Sequence, residues 1–291
     1  MRNVFLISAL FVALCVCVLV RFDLIRLTVT NNCSNCDLSN TNLSGLNLQN
    51  ADLRSANLSD SYLYNTNLKN ANLTNAVFRR AGLHWATLNG ASLNGADLRF
   101  ASLSGASLDT ANLHGSILQS ADFRGVDFSG MNLSGINLSQ VILEPLGRSK
   151  DVPVFVKMIN TDLSTANLTG ANLRSADMTG ANLENANLTR ATLRNAHMAG
   201  SNLAHATLIG ATLINTDLST ANLTGANLRS ADMTGANLSN AKLWRANLSG
   251  ANFTDSNLSA AKVLLTALSK SVLCRTLLPN NTINSRNCPN N

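Results

Sequence analysis

The sequence predicts an all-β repeat protein whose chain turns a corner every five residues. A large apolar residue recurs at every fifth position over 38–143, and the series restarts in the same frame over 163–258. All four prolines lie outside these runs, as expected where backbone amides are needed for hydrogen bonds between strands. One 25-residue passage occurs twice, at Ile159–Leu183 and Ile214–Leu238, which indicates growth by whole repeats constrained by a common core.

The period of five fits neither a helix nor a simple strand, since their apolar patterns recur every 3.6 and 2 residues. A helix would spread the leucines around its circumference, because five residues advance its face by about 500°. Ala usually stands two residues before each centre, Asn or Asp one before, and small or polar residues after it. Leu and Ala are therefore predicted to point inward. The centres that are not Leu are Phe78, Phe123, Phe128, Met178, Met198, Met233 and Phe253.

The pattern Ala-(Asn/Asp)-Leu-x-x resembles the motif of the pentapeptide-repeat family, and it covers about 42 repeats. The resemblance implies a right-handed quadrilateral β-helix with four repeats per coil. Coils would then stack at strand spacing, about 4.8 Å, and each Leu would lie on its equivalent in the next coil. Burying one Leu contributes about 1.5–3 kcal/mol, and stability is shared between neighbouring coils.

Two interruptions set the predicted domain boundaries. The stretch EPLGRSKDVPVFVK breaks the pattern, and in frame it would place Arg148 and Pro153 in a dry core. After Leu258 the spacing of apolar residues becomes roughly helical. The predicted organisation is a signal sequence or membrane anchor at 1–21, an entry segment at 22–35, a first repeat block at 36–143, an excursion loop at 144–157, a second repeat block at 158–259 and a C-terminal cap at 260–291.

The N-terminus carries seventeen apolar residues without a charge at 4–20. They are read as an uncleaved membrane anchor, as a cleaved signal or as a buried helix, because the segment is short for a span and no Ala-x-Ala site follows. The sequence thus predicts a membrane-anchored or exported protein, with membrane contact through 4–20 if they are retained. The resemblance to exported, cyanobacterial-type members of the family implies the periplasm or the thylakoid lumen.

Four cysteines flank the repeats. Resemblance to exported members of the family implies a disulfide between Cys274 and Cys288 and another between Cys33 and Cys36, in an oxidising compartment. The CxxC of Cys33 and Cys36 has two further interpretations, a reduced thiol pair and half of a metal site. A zinc site needs four ligands, and no second CxxC exists. No cofactor and no metal are predicted.

One cluster of large side chains is a candidate binding patch. Aromatic residues and arginine are enriched in binding hot spots, and this chain has few aromatics. In the coil frame the cluster maps to two neighbouring sides of adjacent coils. Chance and stacking that tightens the coils are the competing interpretations. The patch consists of Tyr62, Tyr64, His84 and Trp85 on one side, with Arg79, Arg80, Arg99 and Phe100 on the next.

The sequence favours a non-catalytic β-helical scaffold or protein-interaction module, exported or membrane-tethered. No nucleophile–base arrangement and no phosphate-binding loop is evident, so an enzyme is not expected. The alternative is a DNA-mimic inhibitor of type II topoisomerase, as some family members are; the net charge of +6 speaks against it. The predicted partner is an unidentified protein and not a nucleic acid. Coils that stack end to end could also pair two copies as a homodimer.

Overall fold

The computed structural model describes residues 22–143, 145 and 155–288. Parallel β-bridges join residues twenty positions apart, such as Asp52 to Asn72 and Asn72 to Ser92. The chain is therefore a β-helix in which one coil takes twenty residues, arranged as four five-residue segments joined by turns. We name a stack of equivalent segments a side and a stack of equivalent turns a turn column. The chain divides into two compact units, Met1–Ile117 and Leu118–Asn291.

Each turn is built from the last two residues of a repeat. The backbone N–H of Ala51 donates to the carbonyl of Leu48 at 3.1 Å and closes one such turn. The residue between them, Asn50, has φ = 58°, and Gly45 occupies the preceding turn with φ = 71°. A left-handed backbone is costly for most side chains and is best tolerated by Gly and Asn. This requirement accounts for the abundance of both residue types at the fifth position of the repeat.

The Asn or Asp before each centre has two structural roles. Its Oδ1 accepts the backbone N–H two residues later, as Asp162 does from Ser164 at 3.0 Å. The amide of an Asn also donates to the preceding coil: Asn182 Nδ2 lies 3.1 Å from Asp162 Oδ1, and Asn202 Nδ2 lies 3.1 Å from Asn182 Oδ1. These bonds form a side-chain ladder parallel to the backbone ladder. Asn and Asp are thus selected for turn geometry and for coil stacking.

The core of each unit consists of the Leu and Ala positions of the repeat. Leu183 and Ala181 are fully buried, and the aromatic centres Phe78 and Phe123 are fully buried as well. Where Ser or Thr replaces Ala, its hydroxyl bonds a backbone carbonyl, as Ser201 does with Met198 at 2.8 Å. The inward assignment made from the sequence therefore holds at these positions.

The first unit begins with a helical segment at 22–30 that precedes the first coil. Leu27 is the buried residue of this helix, and Asp23 accepts the backbone N–H of Asp37 at 2.9 Å. These contacts hold the helix against the start of the coil. Bridges then continue from Asn32–Asp52 to Asp97–Ile117.

The second unit contains the excursion. Asp127 bridges to Lys157 and Ile142 to Asn172, a separation of 30 residues where an ordinary coil has 20, so the loop adds 30 − 20 = 10 residues. Val156 is buried and Lys157 is bridged, so the coil resumes two residues before the predicted start at 158. The boundary between the compact units falls at Ile117–Leu118, so the loop 144–157 lies within the second unit.

The C-terminal region continues the coil beyond the predicted end of the second block. Lys242 bridges to Lys262 and Asn257 to Leu277, so much of 260–291 forms a further coil. In that coil a 3₁₀ helix, Leu265–Lys270, takes the place of one segment. Strand β1 (Thr276–Leu277) pairs antiparallel with β2 (Ile283–Asn284). The apolar spacing after 259 therefore reflects a short 3₁₀ helix within a coil.

The predicted localisation is corrected at this point. Among the residues that the structure describes, no helix combines the length and apolar character needed to cross a bilayer. The membrane-anchored or exported assignment, with its periplasm or thylakoid lumen, is therefore wrong on this finding. The segment 4–20, on which the anchor prediction rested, and the whole of 1–21 lie outside the described residues.

Candidate functional site

The sequence-predicted patch lies on one side of the first unit and on its two bordering turn columns. We name it the aromatic–arginine patch: Tyr62, Tyr64, Arg79, Arg80, His84, Trp85, Arg99 and Phe100. Tyr62 bridges to Gly82, so its side chain stands over a residue without one. Arg80, Trp85 and Phe100 occupy left-handed turn positions with φ between 57° and 61°. That conformation directs their side chains away from the core.

The patch exposes four aromatic side chains on the coils of the first unit. Tyr62 is 57% exposed, Tyr64 44%, Trp85 54% and Phe100 62%. Within the described part of these coils no other large hydrophobic side chain is exposed. The structure therefore brings the predicted aromatic residues together on the surface and leaves them out of the core.

Tyr64 and His84 stack across two coils. Their ring centroids are 4.8 Å apart with an interplanar angle of 23°. His84 Nδ1 also lies 2.6 Å from the hydroxyl oxygen of Ser104 in the following coil. The imidazole is thus fixed from both sides, and the Tyr64 ring is held at a defined angle.

Trp85 is fixed by the absence of a side chain at Gly105. A Cβ atom on Gly105 would overlap the six-membered ring of the Trp85 indole. Gly105 stands one coil later in the same turn column, with φ = 69°. The indole therefore lies flat over a backbone that only Gly provides without displacing the ring.

The arginines of the patch are all ion-paired. Arg79 Nε and Arg99 Nη2 both contact Oδ2 of Asp97, at 2.5 and 2.7 Å. Asp97 is buried between them. Two guanidiniums therefore satisfy one carboxylate, which leaves a net positive charge beside the aromatic rings.

Arg80 pairs with Asp60 in the preceding coil. Its Nε and Nη2 atoms donate to the two carboxylate oxygens at 2.7 and 2.6 Å. This side-chain hydrogen bond lowers the pKa of Asp60, with desolvation opposing the shift, and the same bond raises the pKa of Arg80. The side chain of Arg80 is therefore held by an acid of the same chain.

The predicted cysteine pairs are both joined in the structure. The Cα atoms of Cys33 and Cys36 are 5.2 Å apart, and those of Cys274 and Cys288 are 4.7 Å apart. A carboxylate oxygen of Asp23 and the sulfurs of Cys33 and Cys36 lie within 4.8 Å of one another. With the sulfurs joined, they are not available as thiolate ligands, so the arrangement is a covalent tie at the start of the coil.

Sequence reasoning missed the partners that fix the patch. Asp60 and Gly105 stand 20 residues from Arg80 and Trp85. Asp97 stands 18 residues from Arg79 and two residues from Arg99. The twenty-residue spacing was the available signal, since it predicts which side chains meet in adjacent coils. Trp244, 49% exposed in the second unit, was also missed as a surface aromatic.

Comparison with protein-family models decides the identity of the fold. The model for pentapeptide repeats matches in eight copies. The chain belongs to the pentapeptide-repeat family. Membership implies a right-handed β-helix, and members are generally structural or interaction proteins without catalytic activity. The matched ranges are 32–70, 56–95, 91–130, 121–144, 155–185, 186–225, 201–240 and 231–263.

Solved structures similar to this pentapeptide-repeat protein include two from cyanobacteria. HetL from Nostoc sp. strain PCC 7120, involved in heterocyst differentiation regulation, is 31% identical, with 87% of this chain and 91% of HetL covered and a TM-score of 0.36. Rfr23 from Cyanothece 51142 is 36% identical, with 41% and 85% covered and a TM-score of 0.30.

A third similar structure is QnrB1, a plasmid-mediated fluoroquinolone resistance protein. It is 22% identical, with 55% of this chain and 81% of QnrB1 covered and a TM-score of 0.24. A comparison with curated protein sequences found no match. The family assignment therefore rests on the repeat model, which matches most of the chain.

Proposed function

We propose that this pentapeptide-repeat protein is a non-catalytic scaffold and protein-interaction module that binds a protein partner through the aromatic–arginine patch. One observation carries the proposal: four aromatic side chains are exposed together, and no other large hydrophobic side chain is exposed on the described coils of the first unit. Exposed clusters of Tyr, Trp and Arg are typical of interaction hot spots.

The way these side chains are held supports the same role. Stacking on His84 orients Tyr64, and Gly105 accommodates Trp85, so these rings lose less conformational freedom on binding than free side chains would. Ion pairing fixes the arginines in the same manner. The patch is therefore suited to a partner surface that has apolar pockets and, at their periphery, hydrogen-bond acceptors.

The test is quantitative capture of partners by the full-length chain and by a variant with Trp85→Ala and Phe100→Ala. We expect at least one protein from the cells that make this chain to be captured by the wild type and lost with the variant. Direct titration with that purified protein should then show a loss of affinity of about tenfold or more. Trp244→Ala is the matched control, because it removes an exposed indole from the second unit.

Retention of every captured protein by the double variant would refute the patch as the interaction surface. Loss of the same proteins with Trp244→Ala would also refute it, since the effect would then follow from removing any exposed aromatic residue. Unchanged melting of both variants establishes that folding is intact.

We further propose that the coils form a right-handed, four-sided helix and that two copies associate through their C-terminal coils. Four segments between residues twenty apart support four sides. Leu264 and Leu265 on the last coil are 52% and 57% exposed, which supports contact with a second copy. Sedimentation should show that the wild-type chain is a dimer. The double variant Leu264→Ser, Leu265→Ser should be a monomer. A monomeric wild-type chain would contradict this part.

The alternative, a DNA-mimic inhibitor of type II topoisomerase, requires a surface that presents rows of negative charge. Arginines border the sides of both units, and the net charge is +6. We therefore rank this function below the interaction module. A gyrase supercoiling assay decides between them, because inhibition by the purified chain would reverse the ranking.

A further inference from the structure

Four arginines that border a single side of the second unit have no ion-pair partner among the described residues. They are exposed, and no side-chain hydrogen bond or salt bridge involves their guanidiniums in that part of the chain. Arg80 of the aromatic–arginine patch and Arg275 of the C-terminal coil, by contrast, are each paired with an Asp. We name this set the arginine side: Arg174, Arg190, Arg194 and Arg229.

These arginines border one side of the β-helix. Arg174 and Arg194 belong to one turn column, as the bond from Ser175 N to Arg194 O at 2.9 Å shows. Arg190 and Arg229 belong to the column at the other edge, through Arg190 N to Ile209 O and Gly210 N to Arg229 O, both 3.0 Å. Two columns of positive charge therefore run along a single side.

The duplicated passage supplies two of the four arginines. Arg174 and Arg229 are equivalent residues of the two identical passages, 55 residues apart. Fifty-five residues are two and three-quarter coils of twenty, so equivalent residues fall one turn column apart. The two copies consequently place their arginines on opposite edges of the same side and do not scatter them.

Polar groups without partners lie between the two columns. Bridges join Asn172 to Thr192, Thr192 to Thr212 and Thr212 to Asp232 along the middle of the side. The hydroxyls of Thr192 and Thr212 form no hydrogen bond within the described residues. The row continues through Asp232 to Asn252. The Oδ1 atom of Asp232 accepts the N–H and hydroxyl of Thr234 and the side-chain amide of Asn252. The side thus offers four guanidiniums and two hydroxyls against one occupied carboxylate.

We propose that the arginine side binds a short acidic segment of a partner protein. Unpaired guanidiniums recognise carboxylates through paired, charge-assisted hydrogen bonds. The row from Asn172 to Asp232 spans three coil steps, about 14 Å at about 4.8 Å each. An extended segment of about five residues covers this length. This binding is separate from the aromatic–arginine patch and does not depend on it.

A nucleic acid fits the side less well. Single strands are held chiefly by stacking on aromatic side chains, and the described part of this side exposes none. Duplex binding depends on the number of phosphates neutralised, and four cations over about 14 Å give a small electrostatic contribution. Charge and length therefore favour the acidic polypeptide.

The experiment measures binding of fluorescein-labelled hexaglutamate to the full chain by fluorescence anisotropy, with hexaglutamine as the neutral probe. We expect hexaglutamate to bind at low salt and Arg190→Gln with Arg194→Gln to weaken it about tenfold. The matched control is Arg245→Gln with Lys262→Gln, which removes the same charge from another side. Arg245 has φ = 58° and Arg190 has φ = 57°, so the two occupy equivalent turn positions.

Equal weakening by both double variants would overturn the proposal, because net charge alone would then explain binding. No binding of hexaglutamate, or equal binding of hexaglutamine, would overturn it too. Tighter binding of a duplex oligonucleotide with the same dependence on Arg190 and Arg194 would assign the side to nucleic acid instead. Thermal melting of each variant confirms that the coil is intact.

Discussion

The guanidinium of Arg80 binds the carboxylate of Asp60 in the adjacent coil through two hydrogen bonds, at 2.7 and 2.6 Å. Both residues occupy left-handed turn positions of one column, with φ = 57° and 58°. The identical arrangement recurs between Arg275 and Asp255, at 2.6 and 2.7 Å. An Asp followed twenty residues later by an Arg, both at the turn, is thus a recurrent link between coils.

The first prediction concerns the pH dependence of this link. The side-chain hydrogen bond from Arg80 lowers the pKa of Asp60 in the folded protein. A lowered carboxyl pKa stabilises the fold above the ordinary Asp pKa, and that contribution is lost as pH falls through the folded-state pKa. We expect Arg80→Gln to return the pKa of Asp60 to its ordinary range, as measured by NMR titration of the carboxyl carbon. Asp255, which retains Arg275, is the internal control and should not move.

The second prediction tests the packing of the Trp85 indole against Gly105. Gly105→Ala should destabilise the protein and shift the emission of Trp85, because the new methyl group would overlap the indole. Gly45→Ala is the matched control: its φ is also positive, at 71°, but no atom lies within 4 Å of the added Cβ. Both variants incur a backbone cost of about 1–2 kcal/mol, so Gly105→Ala should lose more. Equal losses would show that Trp85 moves aside freely.

The positions in the core could be predicted from sequence because they depend on local period alone. Leu183 is inward since every fifth residue returns to the interior, whatever the surface does. The contact of Arg79 with Asp97 could also have been predicted from the repeat, but only with the additional knowledge that one coil takes twenty residues. The contact of Arg99 with Asp97 is local, since the two residues are two positions apart. The exposure of the aromatic–arginine patch could be predicted because its residues occupy positions of the repeat that point away from the core.

Other features could not be predicted because composition does not fix them. The excursion breaks the pattern, but only the bridge from Asp127 to Lys157 reveals that ten residues are added to the coil. Past Ala260 the apolar spacing is roughly helical, yet Val272 and Leu277 return to the bridges of the β-helix. The structure of this region depends on its pairing with the preceding coil, and such pairing cannot be predicted from the local spacing of apolar residues.

The third prediction concerns the stacked core. Leu183→Ala should lower the free energy of unfolding by about 2–5 kcal/mol, because it leaves a cavity between fully buried neighbours. Leu265→Ala, at a residue 57% exposed, should change it by less than about 0.5 kcal/mol. Chemical denaturation of both variants makes the comparison. Similar losses would contradict the inward placement of the central Leu of the repeat.

The fourth prediction concerns the C-terminal disulfide. Cys274 and Cys288 enclose the β1–β2 hairpin with a sequence separation of 14. Closing a loop of about fifteen residues stabilises by about 3 kcal/mol. Cys288→Ser should therefore release the hairpin, and hydrogen exchange should accelerate over 276–284. Cys36→Ser, which opens a loop with a separation of 3, should leave that exchange unchanged. Protection retained in Cys288→Ser would show that the hairpin does not need the bond.

The last prediction concerns the amide ladder. In Asn182→Asp the donor to Asp162 is lost and a second carboxylate takes its place. The pKa of Asp162, now lowered chiefly by the backbone N–H of Ser164, should rise beside a like charge. A raised carboxyl pKa destabilises the fold above it, so the variant should lose about 1 kcal/mol at neutral pH and recover as pH falls. Asn187→Asp is the control, because its ladder neighbours are Asn167 and Thr207. A deficit in Asn182→Asp that persists at acid pH would mean that lost packing, and not charge repulsion, is the cause.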